Sequence, residues 1–215
     1  MTLDLQFHFD FASPNAWFVH RVIPDIETRT GAHFTYVPVL LGGIFKATGN
    51  QAPMLAFAGI KNKLDYQGLE IRRFIQRYDL TAFQMNSHFP VNSLQIMRIA
   101  VAAAQEGVLP LYVETVFQAM WEKSLKMDDP EVIATTLNAA GLDADKLIAM
   151  SITPEIKARL AANTEASVNR GAFGIPTVFV NDEIYFGKDA VREIEDQIVH
   201  AQQVAAQTEP VREFP

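Results

Sequence analysis

The stretch Leu3-Asp4-Leu5-Gln6-Phe7-His8-Phe9-Asp10-Phe11-Ala12-Ser13-Pro14 decides the fold. Leu3, Leu5, Phe7, Phe9 and Phe11 alternate with Asp4, Gln6, His8 and Asp10, and a period of two is the spacing of side chains on one face of a strand. The alternation stops at Ser13-Pro14. A serine hydroxyl accepts from a free backbone N–H at a helix start, and proline at the first helical position sacrifices no hydrogen bond, because that N–H has no partner in the helix. The pattern therefore predicts a strand running directly into a helix that reaches about Thr30 and is closed by Gly31.

Outward from there, Phe34 to Leu40 reads as a second strand. The connection is long enough to make the two strands parallel neighbours in a β-α-β unit. From Gly43 to Arg170 helical signals dominate. Asn92 with Gln95 forms a capping-box pattern ahead of Leu94, Met97 and Val101. Asp129-Pro130 and Thr153-Pro154 repeat the start seen at Ser13-Pro14, and Gly141 and Gly171 close the helices that follow them. Strands return at Thr177–Val180 and Glu183–Phe186, joined by Asn181-Asp182, a pair that tolerates the positive φ of a tight hairpin. A last helix is expected from about Asp189 to Gln203, followed by a tail, 203–215, that is loose or docked on a partner subunit. The halves β-α-β and β-β-α thus flank a long helical segment. The expected architecture is α/β: one domain of residues 1–42 plus 171–215, interrupted by an inserted all-helical domain, 43–170.

Bulk properties narrow the function. The 215 residues carry a formal charge of −7 with Lys and Arg scattered, so the basic stripe of a nucleic-acid binder is missing. The most apolar run, Ile96 to Ala104, contains Arg98 and is far shorter than the ~20 residues of a membrane span. No basic and then apolar leader opens the chain, so a cytoplasmic location is expected. Cysteine is absent, which removes disulfides, thiolate metal ligands and every thiol nucleophile. Any thiol chemistry must bring its sulfur from outside.

Three places can carry chemistry. Ser13 lies at a helix N-terminus, beside unpaired N–H groups and the positive end of the dipole, where an anion is stabilised; it also reads simply as a cap. Gly174-Ile175-Pro176-Thr177 leads straight into a strand, a context in which a cis-proline can stand beside the first helix and expose the backbone of Ile175 to an extended peptide. In Phe186-Gly187-Lys188-Asp189 a glycine ends a strand and Asp189 begins a helix, again with a plain capping role open to it. No Gly-x-Ser-x-Gly elbow surrounds Ser13, which argues against a hydrolase triad. His8 reads as a strand residue in a polar setting, and His33, His88 and His200 as surface or loop residues. No histidine pair has metal-ligand spacing, so no metal site is expected.

Six motifs in order resemble the 2-hydroxychromene-2-carboxylate isomerase and kappa-class glutathione transferase family, over about Leu3 to Gln203. They are Phe9-Asp10-Phe11-Ala12-Ser13-Pro14, Gly49-Asn50 with Pro53, Lys63-Leu64-Asp65-Tyr66, Phe89-Pro90-x-Asn92, Phe173-Gly174-Ile175-Pro176-Thr177, and Phe186-Gly187-Lys188-Asp189. The resemblance implies a thioredoxin-like domain with a helical insertion of the DsbA type, a homodimer, and glutathione as cofactor. It implies that the Ser13 hydroxyl bonds the glutathione sulfur as the catalytic contact, that Ile175 pairs with the cysteinyl backbone across Pro176, and that Phe186, Gly187, Lys188 and Asp189 hold the γ-glutamyl end. The second substrate is then a small aromatic α-keto acid, isomerised from cis to trans by thiolate addition, bond rotation and elimination. Lys46, Lys63 and Asn50 are candidates for its carboxylate, with Tyr66 and Asn92 as weaker ones. Glu70 stands where the family commonly has Asp, and Ala190 where Arg is usual, which puts the second substrate in more doubt than glutathione. Two other readings stay open: a kappa-type transferase or peroxidase acting on hydrophobic electrophiles, and a redox-inactive thioredoxin-like module that binds peptides.

Overall fold

The computed structural model describes residues 3–208. Its sheet has four strands, β1 (Leu5–Phe9), β2 (Thr35–Pro38), β3 (Thr177–Val180) and β4 (Glu183–Phe186), in the order β2-β1-β3-β4. β1 is parallel to β2, with Phe7 opposite Tyr36, and antiparallel to β3, with Phe7 opposite Val178. The β3–β4 hairpin turns at Asn181, whose φ of 54° is the left-handed value such a turn requires. β2 is shorter than the Phe34–Leu40 expected, because Val39 and Leu40 turn away to start the next helix.

Helix α1 (Pro14–Thr30) starts and ends as its sequence dictates. Ser13 caps it, Pro14 opens it, and Gly31 at φ 68° closes it with an N–H to Glu27 O. Then come α2 (Leu41–Thr48), α3 (Pro53–Ala56), α4 (Lys63–Tyr78), α5 (Leu94–Gln105), α6 (Leu109–Trp121), α7 (Pro130–Ala139), α8 (Ala144–Ser151) and α9 (Pro154–Asn169). After β4, one 3₁₀ turn over Lys188–Ala190 leads into α10 (Val191–Thr208). Two expectations are corrected. Asn92 and Gln95 form no capping box: Ser93 is the cap residue and makes no side-chain cap bond, while Asn92 Oδ1 accepts from the Leu94 N–H at 3.1 Å in a local turn. The last helix begins after the 3₁₀ turn and runs past Gln203 to Thr208. The rest of the tail, 209–215, lies outside the described residues.

β1 is covered on both faces. Leu5, Phe7 and Phe9 face α1 and α6: Phe9 packs against Phe117 with ring centroids 5.9 Å apart, and Phe11 against the same ring at 4.7 Å. The opposite face, polar in sequence, is also largely buried, with Gln6 half-buried at its edge. His8 lies there under α9, bonded to Ser167 Oγ at 2.9 Å, and Arg170 stacks on Phe179 of β3 at 3.7 Å. Burial, then the Arg170 charge, lowers the His8 imidazole from 6.5 to about 4, so it is neutral near pH 7.

A polar seam joins α1 to α6. Arg21 donates to both Glu114 oxygens at 2.8 and 2.9 Å and also bonds Glu122, which accepts from Trp17 Nε1 as well. His20 lies between the Tyr36 hydroxyl at 2.8 Å and Glu114 at 3.0 Å. His20 and Glu114 both titrate below their ordinary values, which a simple ion pair does not give. Burial dominates at His20 and keeps it neutral. Hydrogen bonds from His20 and Arg21 hold Glu114 at about 2, with Arg21 as the permanent cation.

Phe117→Ala removes a ring fully enclosed between Phe9, Phe11 and His20. It is expected to lower the urea-denaturation free energy by roughly 3–5 kcal/mol. Acid should act through the histidines first. The unfolded chain protonates His8 at its ordinary value while the fold resists to about 4, so stability held above pH 6.5 falls as pH drops through that window. Glu114 adds its own loss between 4.5 and about 2. His8→Gln is expected to flatten the slope of denaturation midpoint against pH between 6.5 and 4.5, leaving the share due to His20.

Candidate functional site

The turn after β1 is built by a buried carboxylate. Asp10 is fully enclosed; its Oδ1 accepts from Ala12 N–H at 2.9 Å and its Oδ2 from Leu41 N–H at 2.7 Å, while its carbonyl accepts from Ser13 N–H at 3.1 Å. Burial pushes the carboxyl up, and donation from Ala12, Leu41 and the Ser93 hydroxyl opposes it. This locks Ser13 at φ −95°, ψ 114°, with its side chain at the mouth of α1. The hydroxyl does two things. It accepts from Ala16 N–H at 3.3 Å, as a cap does, and it donates to Ile175 O at 3.0 Å, 162 residues away.

Ile175 lies on the facing loop, and its peptide bond to Pro176 is cis. Its N–H donates to no described residue. The loop is braced by Thr177 Oγ1 on Gly174 O at 2.8 Å and by Gly187 N–H on Pro176 O at 2.9 Å. Phe186 lies so close to Gly174 that a Cβ there would meet its ring at 2.8 Å. Phe173 and Phe186 meet with ring centroids 4.4 Å apart and planes tilted by 42°, both nearly half exposed, and form an apolar wall beside the Ser13–Ile175 contact. Asn50, just past α2, donates to Phe173 O at 2.7 Å. Among the described residues, Asn15 Oδ1, in the first turn of α1, is the buried side-chain atom with no hydrogen-bond partner.

The sequence-derived candidates divide accordingly. Ser13, Ile175, Pro176, Phe186 and Asn50 come together around one cleft, with Gly187 holding Pro176 from behind. Lys188 is buried, its ammonium bonded to both Asp189 oxygens at 2.5 and 2.7 Å and lying over the Phe74 ring at 5.3 Å; the Asp189 side chain is exposed. Lys46 is exposed on α2. Lys63 opens α4 with its ammonium 5.3 Å over Phe57, and Tyr66 is half exposed on the same helix. Asn92 spends its Oδ1 on Leu94 and its N–H on Asp128, so only its amide nitrogen is uncommitted. The sequence left Asp10, Asn15 and the Phe186–Gly174 contact without roles. Asp10 had one available signal: a carboxylate inside a run of phenylalanines must find donors when buried.

The arrangement suits an extended ligand with an anionic head. A charge-assisted hydrogen bond from Ser13 is worth roughly 1.5–3 kcal/mol and a helix N-terminus roughly 0.3–1, against about 1 for the neutral bond to Ile175 O that the hydroxyl gives up. The balance of roughly 1–3 kcal/mol lowers a bound thiol by about one to two units at 1.36 kcal/mol per unit, from ~8.5 to near neutrality. Among the described residues no three His, Cys, Asp or Glu are grouped as metal ligands, and no helix is long and apolar enough to cross a membrane.

Comparison with known proteins bears on the family and the fold. The sequence profile of the DSBA-like thioredoxin domain matches residues 4–199. The 2-hydroxychromene-2-carboxylate isomerase of Pseudomonas putida is 27% identical over 187 residues, covering 86% of this chain and 89% of that protein. Glutathione S-transferase kappa 1 of Homo sapiens is 25% identical over 203 residues, covering 86% of each. A solved 2-hydroxychromene-2-carboxylate isomerase superposes with a TM-score of 0.81 at 24% identity, covering 96% of this chain and 99% of that one. Pseudomonas aeruginosa DsbA superposes at 0.57 and 18%, covering 96% and 87%. With its sheet order, its helical insertion and a matching profile over nearly its whole length, the chain belongs to the DSBA-like thioredoxin domain family.

Proposed function

We propose that the protein is a glutathione-dependent enzyme of the isomerase and kappa-transferase kind, and that it converts a cis aromatic α-keto acid to its trans form. The observation that carries this reading is the Ser13 hydroxyl at the mouth of α1, 3.0 Å from Ile175 O across the cleft. The residues around it fit a thiol tripeptide: Ile175 N–H has no described acceptor, Asn15 Oδ1 has no donor, and the Phe173–Phe186 wall can cover an apolar partner. Bound there, glutathione supplies a nucleophilic thiolate for reversible addition to a conjugated α-keto acid.

The chain's own part is orientation and charge. Ser13 turns its proton from Ile175 O to the sulfur, and the first turn of α1 adds its positive end. Ile175 offers its N–H for β-type pairing with an extended backbone. The turn from Phe186 to Asp189 is the proposed seat of the γ-glutamyl end. Lys46, Lys63 and Asn50 are proposed for the substrate carboxylate, with Tyr66 and Asn92 beside them. A kappa-type transferase acting on hydrophobic electrophiles is the second reading, favoured by the near-equal identity to relatives of both names, 27% and 25%.

Mixing the protein with glutathione at neutral pH is expected to produce the ultraviolet absorbance of a thiolate, and Ser13→Ala to raise the bound thiol's pKa by about one unit. Product analysis with 2-hydroxychromene-2-carboxylate and with an aryl halide then separates isomerase from transferase. Absence of both binding and thiolate absorbance transfers the assignment to a redox-inactive peptide-binding module. Gly174→Ala forces the Phe186 ring aside and is expected to raise KM for glutathione about fivefold, roughly 1 kcal/mol, with Tm changed by only a few degrees.

A further inference from the structure

Helix α2 also lines a second concavity, which shares no residue with the Ser13 cleft. It is a groove of about 490 Å³ between α2, α5 and α9, within the roughly 300–1,000 Å³ usual for small-molecule sites. Leu40, Leu94, Leu160 and Val168 give it apolar walls. Small residues set its depth: a Cβ on Gly43 would be 3.0 Å from Thr164 Cγ2, and Ala47 and Ala161 leave the space beside it open.

Arg98 enters this groove from α5, a helix otherwise made almost wholly of apolar residues. It is half-buried, and no described residue accepts a hydrogen bond from it or forms an ion pair with it. The contrast is with the other half-buried arginines, Arg21 and Arg170, since the unpaired arginines elsewhere among the described residues are exposed to water. Arg21 is held by Glu114 and Glu122, and Arg170 by Gln6 and Asn181 O. A partly desolvated guanidinium without an acceptor is costly, and an anion that supplies one recovers that cost. Lys157 and Glu165 are the other charges at the rim, so the groove is net positive on a chain whose formal charge is −7. One half-buried guanidinium among apolar walls suits a single carboxylate on an apolar body, and suits a polyphosphate poorly.

We propose that this groove is a binding site for a small amphipathic carboxylate. The carboxylate pairs in forked geometry with Arg98, and the apolar body packs along Leu94, Leu160 and Val168. The site is independent of glutathione and of the reaction assigned to Ser13.

Calorimetric titration of the full chain with naphthalene-2-carboxylate tests it. One molecule is expected to bind per chain, and Arg98→Gln is expected to weaken it about tenfold or more. The neutral analogue 2-naphthamide should bind weaker by a similar factor, and Ala47→Phe should block the groove. Phe186→Ala, in the other cleft, should leave the affinity within about twofold. Arg98→Gln replaces one half-exposed side chain with another, so it keeps the test decisive even if Ala47→Phe destabilises the fold. The proposal is overturned by no binding up to about 1 mM, by equal binding to the Arg98 variant, or by displacement with glutathione. It is likewise overturned if sedimentation shows a second copy of the chain occupying the groove and excluding the probe.

Discussion

The rest of the structure depends on β1 being covered on both faces, with only Gln6 left half-buried at the edge. A strand with apolar and polar residues in alternation ordinarily turns its polar side to water, but here α9 covers that side. Every polar group on it therefore needs an internal partner. His8 finds Ser167, and Asp10 finds the N–H groups of Ala12 and Leu41. These bonds fix the turn that presents Ser13, so the geometry of the candidate site follows from satisfying buried polarity one residue at a time. The same requirement couples the sheet to its helical insertion, since Asp10 is met by Ala12 in the turn after β1 and by the Ser93 hydroxyl from within the insertion.

Much of the architecture was legible because its signals are local. Ser13-Pro14 and Gly31 mark the ends of α1, and Asn181-Asp182 marks the hairpin, through φ preferences and capping chemistry that act within a few residues. Helix boundaries inside the insertion were less so. The start of α5 reads as a capping box at Asn92, yet the helix takes Ser93 as its cap residue and leaves Asn92 to a turn, because the Asn92 N–H is engaged by Asp128 and the Ser93 hydroxyl by Asp10. Those partners are 36 and 83 positions away, beyond the reach of any local pattern.

The candidate site shows the same division. Ser13 and Ile175 are recognisable from the residues beside them, whereas the contact between them spans 162 positions and the contact of Phe173 with Phe186 joins a loop to the end of β4. Asn50 reaches this cleft through Phe173 O. Lys46, Lys63 and Tyr66 lie on helix surfaces whose orientation no spacing rule sets. The absence of cysteine sharpens the reading: in this fold the mouth of α1 is an anion-stabilising position whatever atom brings the charge, and a hydroxyl there can serve a sulfur that arrives with a ligand.

Helix α2 is tied at both ends. Its first N–H is held by Asp10, behind the Ser13 turn, and Asn50, just beyond its last turn, is held to the loop of the cis-proline. Eight residues of helix make a rod of about 12 Å, so α2 acts as a calliper between the two lips of the cleft. The β1–β3 pairing and the Ser13–Ile175 bond already hold the two lips together, and the hydrogen-bonded length of α2 adds a second spacer between them. Sequence drift in 51–93 can reshape the walls of the cleft while its lips keep their spacing. One residue gained or lost within 41–50 rotates the helix by about 100° and shifts its end by about 1.5 Å, changing the gap itself.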